Sequence, residues 1–257
     1  MSNTVVFISG TFIANNCWDE WKTYFKNHGY NCVAPAWPHK AASAEVLRNR
    51  HPDTAIASNT LTKLTNHFAG IIKALPEKPI LIGHSIGGLI VQFLLYRGLC
   101  TAAVAIHSFP PAGIHSIRFS FQKIWWNVIG FFTSVQTSYM ISFKQWKHIM
   151  ANGMPCAEQK ESFYKYAIPE SKRVIRDAFK CRSSVNFKTD HPPLLFVSGG
   201  QDRIIPASLN YTNYKKYSST NSITNYMDFK DSNHLVFNPP GLANEAEFVL
   251  SWLQKLK

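Results

Sequence analysis

The 257-residue sequence lacks the patterns of several protein classes. It has no apolar run of the about 18 residues that a membrane-spanning helix needs. Its first residues carry neither a basic segment nor a small-residue cleavage site, so we expect no transmembrane segment and no secretory signal. Its five cysteines form no CxxC pair, and their odd number predicts reduced thiols that mostly pack in the interior. These absences favour a cytoplasmic protein.

Signals for metals and cofactors are also missing. The sequence has no HExxH motif, no His-x-x-x-His pair and no Gly-x-Gly-x-x-Gly loop. Zinc hydrolases and dinucleotide-binding enzymes depend on such patterns. We therefore expect no metal site and no cofactor.

Acidic residues are scarce, with 15 Asp and Glu against 27 Lys and Arg and a net charge of +12. The basic residues are scattered, apart from small groups such as Lys172-Arg173 and Lys215-Lys216. No DNA- or RNA-binding motif accompanies them. We interpret the charge as a solvated basic surface and expect no nucleic-acid partner; binding to an anionic partner or membrane surface remains an alternative.

Residues 79–91 form the most informative stretch, an apolar run interrupted by a Gly-x-Ser-x-Gly motif. An apolar strand, this turn and an apolar helix in succession predict a nucleophile elbow, which presents Ser85 on a strained backbone. Gly83 and Gly87 would let the strand and helix approach closely. The N-terminal end of the helix would face an oxyanion formed at Ser85.

Strand-like apolar runs alternate with amphipathic helical patterns along most of the chain. This order predicts an α/β protein with a mostly parallel, doubly wound sheet. The aromatic-rich segment 112–187 breaks the alternation, and we predict that it is a helical cap inserted into a core domain of residues 1–111 and 188–257. The predicted strands are 5–9, 31–35, 79–82, 102–107, 193–197 and 223–229, and the predicted helices are 17–28, 58–75, 86–98 and 242–256.

Two further groups complete a possible catalytic set. Asp202 lies in a glycine turn after one predicted strand, and His234 lies in a loop after the last. A serine hydroxyl needs a base, and a histidine base is commonly oriented by a carboxylate. Asp202 could instead cap the following helix, and Asp228 and Asp231 are alternative acids, although both lie close to His234 in sequence.

With these motifs the chain resembles the alpha/beta hydrolases over its whole length, since the order Ser, Asp, His along the sequence is theirs. The resemblance implies a serine hydrolase in which Ser85 is the nucleophile, Asp202 the acid and His234 the base. An oxyanion hole is expected from the backbone N–H of Ile86 and an N–H of the loop after the first strand.

That loop departs from the family pattern. Where the family often has His-Gly-x, this chain has Ser9-Gly10-Thr11. We expect the N–H of Thr11 to be the second oxyanion donor, with Phe12 as the alternative.

A carboxylesterase is the preferred functional hypothesis, with a small-molecule ester substrate that has an apolar part. The aromatic cap suggests that apolar part, and Phe12 and Trp125 are the predicted substrate contacts. A cofactor-free perhydrolase or a carbon–carbon bond hydrolase could use the same three residues, and a non-catalytic ligand-binding protein on this fold is a further alternative. The aspartate nucleophile of dehalogenases and the lysine of hydroxynitrile lyases are absent, with Leu235 at the latter position. Acyl-chain length and oligomeric state stay open.

Overall fold

Six parallel strands form one sheet in the computed structural model, which describes residues 2–114, 133–180, 185–237 and 241–256. The sheet order is β2-β1-β3-β4-β5-β6, and every neighbouring pair is parallel. With helices on both faces, it confirms the predicted doubly wound α/β fold. The strands are β1 (Thr4–Ile8), β2 (Asn31–Val33), β3 (Ile80–His84), β4 (Ala102–Ile106), β5 (Leu194–Gly199) and β6 (Thr224–Phe229).

The inner strands are built from continuous apolar runs because both of their faces are covered. All residues of β3, β4 and β5 are buried. The edge strands β2 and β6 are partly exposed and carry polar residues. Unbroken apolar strands in the middle and mixed strands at the edges are typical of a parallel sheet between two helical layers.

The structure has a helix at each of the four predicted positions and further helices between them. They are α1 (Asp19–Asn27), α2 (Ala44–Asn49), α3 (Thr54–Ala57), α4 (Leu61–Lys73), α5 (Ile86–Tyr96), α6 (Phe143–Gln145), α7 (Cys156–Tyr166), α8 (Lys172–Lys180), α9 (Ala207–Lys216) and α10 (Gly241–Gln254). A 3₁₀ turn (Asn15–Trp18) precedes α1, and a π-helical turn (Trp146–Met150) follows α6.

One helix begins later than predicted because polar side chains divide the segment. The sequence pattern predicts a helix from residue 58, whereas α4 begins at Leu61, where the Thr60 side chain accepts from the Lys63 N–H. The unpredicted short helix α3 precedes it and is capped by Asp53, whose side chain accepts from the Ile56 N–H. Each cap satisfies N–H groups that a helix start leaves without partners.

The connections reverse direction between β1 and β3. From β1 the chain crosses to β2 on one side, and then returns to β3 on the other. In open parallel sheets a crevice forms at such a switch point, outside the carboxyl ends of the strands. The loop after β1 and the turn after β3 therefore meet at the same edge of the sheet.

The described part of segment 112–187 contains α6, the π-helical turn, α7 and α8. Two isolated antiparallel bridges occur here: Ile13 pairs with Ala167, and Tyr139 with Glu170. Trp125, one of the predicted substrate contacts, lies outside the described residues. The division into a core and an inserted cap stays a prediction.

Two findings concern the membrane and the thiols. Within the described ranges, no helix combines the length and the apolar character that crossing a bilayer requires. Cys17, Cys32, Cys100 and Cys156 are free thiols, and Cys181 lies outside the described residues.

Candidate active site

Ser85 occupies a sharp turn between β3 and α5, as the motif predicts. Its φ of 56° and ψ of −120° are unusual for a residue with a side chain. The turn is tied to the next strand because the Ser85 N–H donates to the Ile106 carbonyl at 2.9 Å, and the Phe109 N–H donates back to the Ser85 carbonyl at 3.1 Å. These contacts hold a strained backbone in place at the amino end of α5.

The two flanking glycines are required by close backbone approach. A Cβ on Gly83 would lie 2.3 Å from the Gly87 carbonyl oxygen, and a Cβ on Gly87 would lie 2.2 Å from the Ile8 carbonyl oxygen. No real Cβ contact is that short, and backbone atoms cannot swing aside as a flexible side chain can. The elbow therefore packs against β1 with no room for larger residues.

Asp202 and His234 are in direct contact, although they follow different strands. His234 Nδ1 lies 2.7 Å from Asp202 Oδ2. The other carboxylate oxygen accepts from the N–H groups of Ile204 and Ile205 at 2.7 and 2.8 Å. Asp202 thus orients the imidazole with one oxygen and closes its own loop with the other.

The charge state of Asp202 determines the tautomer of His234. Burial alone would raise the pKa of Asp202, but His234 and His107 hold it well below its usual value. An ionised carboxylate only accepts hydrogen bonds. Nδ1 of His234 therefore carries the proton. Nε2 then has a free lone pair, so it can accept a proton as a base.

The Ser85 hydroxyl oxygen is buried and has no hydrogen-bond partner among the described residues. The structure therefore joins Asp202 to His234 but shows no hydrogen bond from Ser85 to His234. Catalytic hydrogen bonds are often long without substrate and tighten when it binds. The link between Ser85 and His234 stays a prediction.

His84, inside the elbow, supports the loop of His234. Its Nε2 lies 2.8 Å from the His234 carbonyl oxygen, and the two rings are 4.5 Å apart between centroids. Burial and the two neighbouring histidines, His234 and His107, lower the pKa of His84 well below its usual value. The neutral His84 ring therefore donates its Nε2–H to the His234 carbonyl oxygen.

The loop after β1 lies against the elbow. A Cβ on Gly10 would be 2.8 Å from Ser85 Cβ. Phe12, with a φ of 65°, donates its N–H to Glu170 Oε2 at 3.3 Å and accepts at its carbonyl from the Ile168 N–H at 3.0 Å. Among the described residues, no acceptor is found for the Thr11 N–H.

Glu170 anchors that loop together with a lysine. Its Oε2 lies 2.5 Å from Lys40 Nζ, and both side chains are almost completely buried. Its Oε1 accepts from the Ser171 N–H at 2.7 Å. Burial lowers the pKa of Lys40, and the charge of Glu170 offsets part of that effect. The sequence analysis missed this pair because nothing local links two residues so far apart along the chain.

Three histidines converge at the site, which the sequence analysis did not foresee. One ring nitrogen each of His84, His107 and His234 lies within 4.8 Å of the other two. Protein groups already bond His84 Nε2 and His234 Nδ1, so we assign no metal ligand among them. His107 also contacts the carboxylate, with its Nδ1 3.2 Å from Asp202 Oδ2.

Comparison with known proteins places this geometry in a family. A model described as the alpha/beta hydrolase family matches residues 5–245. A search of curated protein sequences finds no significant match.

Several solved structures are similar at low sequence identity. A polyneuridine aldehyde esterase mutant is 14% identical with a TM-score of 0.71, covering 98% of this chain and 99% of its own. A methylesterase from Arabidopsis is 15% identical (TM-score 0.65, 98% of both chains). A monoacylglycerol lipase from Paleococcus ferrophilus is 18% identical (TM-score 0.66, 97% of this chain and 93% of that one).

Proposed function

Because the chain belongs to the alpha/beta hydrolase family, we propose that it is a serine hydrolase that cleaves a carboxylic ester. Ser85 is the nucleophile, His234 the base and Asp202 the acid. The observation that carries the proposal is the 2.7 Å contact between His234 Nδ1 and Asp202 Oδ2, at the same edge of the sheet as the elbow of Ser85. A carboxylate, an imidazole of defined tautomer and a strained serine are the parts of an acyl-transfer site.

The reaction proceeds in two halves. His234 Nε2 takes the Ser85 proton while Oγ attacks the ester carbonyl, and the resulting oxyanion collapses as His234 protonates the departing alcohol. The acyl group is then bound to Ser85. A water gives a proton to His234 and attacks the acyl carbonyl. The bond to Ser85 Oγ then breaks as His234 returns that proton to Oγ, which releases the carboxylic acid and restores Ser85.

The N–H groups of Ile86 and Thr11 hold the oxyanion in this scheme. Ile86 begins α5, so its N–H lies at the positive end of the helix dipole. The Phe12 N–H is occupied by Glu170, which supports Thr11 over Phe12 as the second donor. Preorganised donors of this kind commonly contribute about 3–4 kcal/mol each to the stability of the transition state.

The substrate is proposed to be an ester with an apolar part. Phe12 is 3% exposed and meets the ring of Tyr139 edge-on at 6.0 Å, so two aromatic rings pack within and beside the loop that would face the substrate. The similar structures include an esterase, a methylesterase and a lipase by name. Methylketone synthase I from tomato is also similar (TM-score 0.70, 14% identity, 100% of both chains), so the fold is compatible with more than one reaction.

A fluorophosphonate probe tests the nucleophile directly. We expect the wild type to be labelled on Ser85 and Ser85→Ala to lose all labelling. Ser198→Ala is the matched control, because Ser198 is another fully buried serine near the carboxyl end of a strand of the same sheet, β5, and it should label as the wild type does.

A panel of p-nitrophenyl esters, from acetyl to long acyl chains, then tests the reaction class. Turnover of at least one of these esters, which disappears in Ser85→Ala, is the expected result. A folded wild type that neither labels nor hydrolyses any ester would contradict the proposal and favour a non-catalytic ligand-binding protein.

A further inference from the structure

His107 lies at the carboxyl end of β4, completely buried between two carboxylates. Its Nδ1 is 3.2 Å from Asp202 Oδ2 and its Nε2 is 3.8 Å from Glu245 Oε2, and none of the three side chains is exposed. The first contact joins His107 to the proposed catalytic acid. The second reaches α10, which otherwise has no part in the site.

The surrounding structure makes a specific place for this ring. A Cβ on Gly199, at the end of the adjacent strand β5, would lie 2.6 Å from His107 Cε1. The backbone of His107 has a φ of 45°, which few residues other than glycine adopt. Its N–H is held by the Val197 carbonyl at 2.8 Å. The imidazole is therefore wedged into a fixed position between its two acidic neighbours.

The buried charges around His107 favour an imidazolium. Burial alone would lower the pKa of His107, but Asp202, Glu245 and Asp228 of β6 together raise it above its usual value. His84 and His234 face the ring with centroids at 6.0 and 5.9 Å. Neither ring nitrogen of His107 has a hydrogen-bond partner among the described residues, so its contacts at 3.2 and 3.8 Å act through charge, which only the protonated ring carries.

The Glu245 carboxylate is also buried and requires a nearby positive charge. Both of its carboxylate oxygens are buried, and neither has a hydrogen-bond partner among the described residues. Burying a carboxylate without a partner is costly, and a nearby cation reduces that cost. In the described part of the chain, His107 is the positively chargeable group in contact with Glu245.

We propose that His107 is a buried imidazolium held between Asp202 and Glu245, and that it is a positioning residue that moderates the negative charge which Asp202 presents to His234. The effect of the His107 charge on catalysis rests on the proposed function. The positive charge of His107 repels a second positive charge on the neighbouring His234 ring, so activity should extend to more acidic pH than it would without His107.

The size of this effect follows from the separation of the rings. One unit charge at the 5.9 Å between the centroids of His107 and His234, at the effective dielectric constant of about 20 that suits buried sites, changes a protonation equilibrium by about two pH units. Removing the charge should therefore shift the acidic limb of the activity profile upward by about two units.

The protonation state can be measured without any catalysis. Nitrogen-15 NMR of the histidine rings in the full chain, with His107→Asn to assign the signals of His107, should show both ring nitrogens of His107 protonated at pH 7. Asparagine preserves an N–H near the position of Nδ1 and cannot carry the charge. A neutral His107 ring throughout pH 5–8 would overturn the proposal.

The catalytic consequence is measured by the rate of fluorophosphonate labelling of Ser85 as a function of pH. His107→Asn should move the acidic midpoint upward by about two units, because it removes the positive charge beside His234. Glu245→Gln should lower the pH at which the His107 ring loses its second proton in the NMR titration, because it removes a negative charge that Glu245 carries above about pH 6. His28→Asn is the control, since His28 is exposed at the end of α1, and its midpoint should not move.

The outcomes separate the two proposals. A uniform loss of rate with an unchanged midpoint would mean that His107 has only a structural role, and the inference would be wrong. If His107→Asn does not fold, the NMR titrations of Glu245→Gln and of the wild type still decide whether His107 is charged. A wild type that never labels contradicts the proposed function, whereas the NMR result still decides the charge of His107.

Discussion

Removing the buried ammonium of Lys40 tests how the loop after β1 is held. Lys40 and Glu170 are 3% and 0% exposed, and their charged atoms lie 2.5 Å apart. In Lys40→Met, the carboxylate of Glu170 stays buried with only the N–H groups of Phe12 and Ser171 as partners. Removing one member of a buried ion pair commonly costs about 3–5 kcal/mol, and we expect a loss near the lower value because those two N–H groups remain.

The double variant distinguishes a charge effect from a loss of packing. Glu170→Gln alone should also destabilise, because it leaves the ammonium of Lys40 buried without its counter-charge. In Lys40→Met with Glu170→Gln no unpaired charge is left, so the double variant should lose less stability than either single variant. Denaturant unfolding at pH 7, with the midpoint and slope fitted for each variant, measures the free energy of unfolding.

An exposed pair provides the control. Lys22 and Asp19 lie 2.8 Å apart on α1, with side chains 26% and 61% exposed, and Lys22→Met should cost less than about 1 kcal/mol. If the losses of Lys40→Met and Glu170→Gln simply add in the double variant, the argument from an unpaired buried charge is refuted.

Further expectations concern the elbow, the acid and the buried glutamate. Gly87→Ala should prevent stable folding, because its Cβ would lie 2.2 Å from the Ile8 carbonyl oxygen. Gly70→Ala is the contrasting variant, because a Cβ on this residue of α4 meets open space. It should stabilise the protein by about 1 kcal/mol in thermal unfolding. Asp202→Asn should slow fluorophosphonate labelling by about 10⁴-fold, since the amide no longer enforces the tautomer of the base; a rate within tenfold of wild type would contradict its role. Burial raises the pKa of Glu245 to about 6, so the folded state binds its proton more tightly than the unfolded state does. Its contribution to stability is full below about pH 4.3 and is lost as the pH rises through about 6, a change of about 2 kcal/mol that should be missing in Glu245→Gln when unfolding is followed against pH.

The strands and the elbow could be predicted because their signals are local. The run 79–91 contains a buried strand, a glycine-flanked turn and an apolar helix within a few residues of one another. The structure has β3 and α5 there, with bounds that differ by one or two residues at most ends. The short helices α2 and α3 were missed because each has too few turns to show an apolar periodicity.

The contacts that surround the site could not be predicted in the same way. Asp202 could have capped a helix, and its second oxygen does bond the N–H groups of Ile204 and Ile205. The structure shows that one carboxylate serves this turn and His234 together. A sequence pattern assigns a side chain one local partner, whereas a buried carboxylate has two oxygens that different parts of the chain can reach.

The sequence by itself determined the parallel α/β architecture and the elbow of Ser85, because hydrophobic periodicity and glycine positions act within one strand or helix. Only the tertiary structure decided that His107 lies between Asp202 and Glu245, and that Lys40 pairs with Glu170 beside the loop after β1. These groups come from separate elements that meet only when the sheet and helices pack. Their charges are stable in the interior only in that arrangement, since burial without the partner would neutralise or destabilise them.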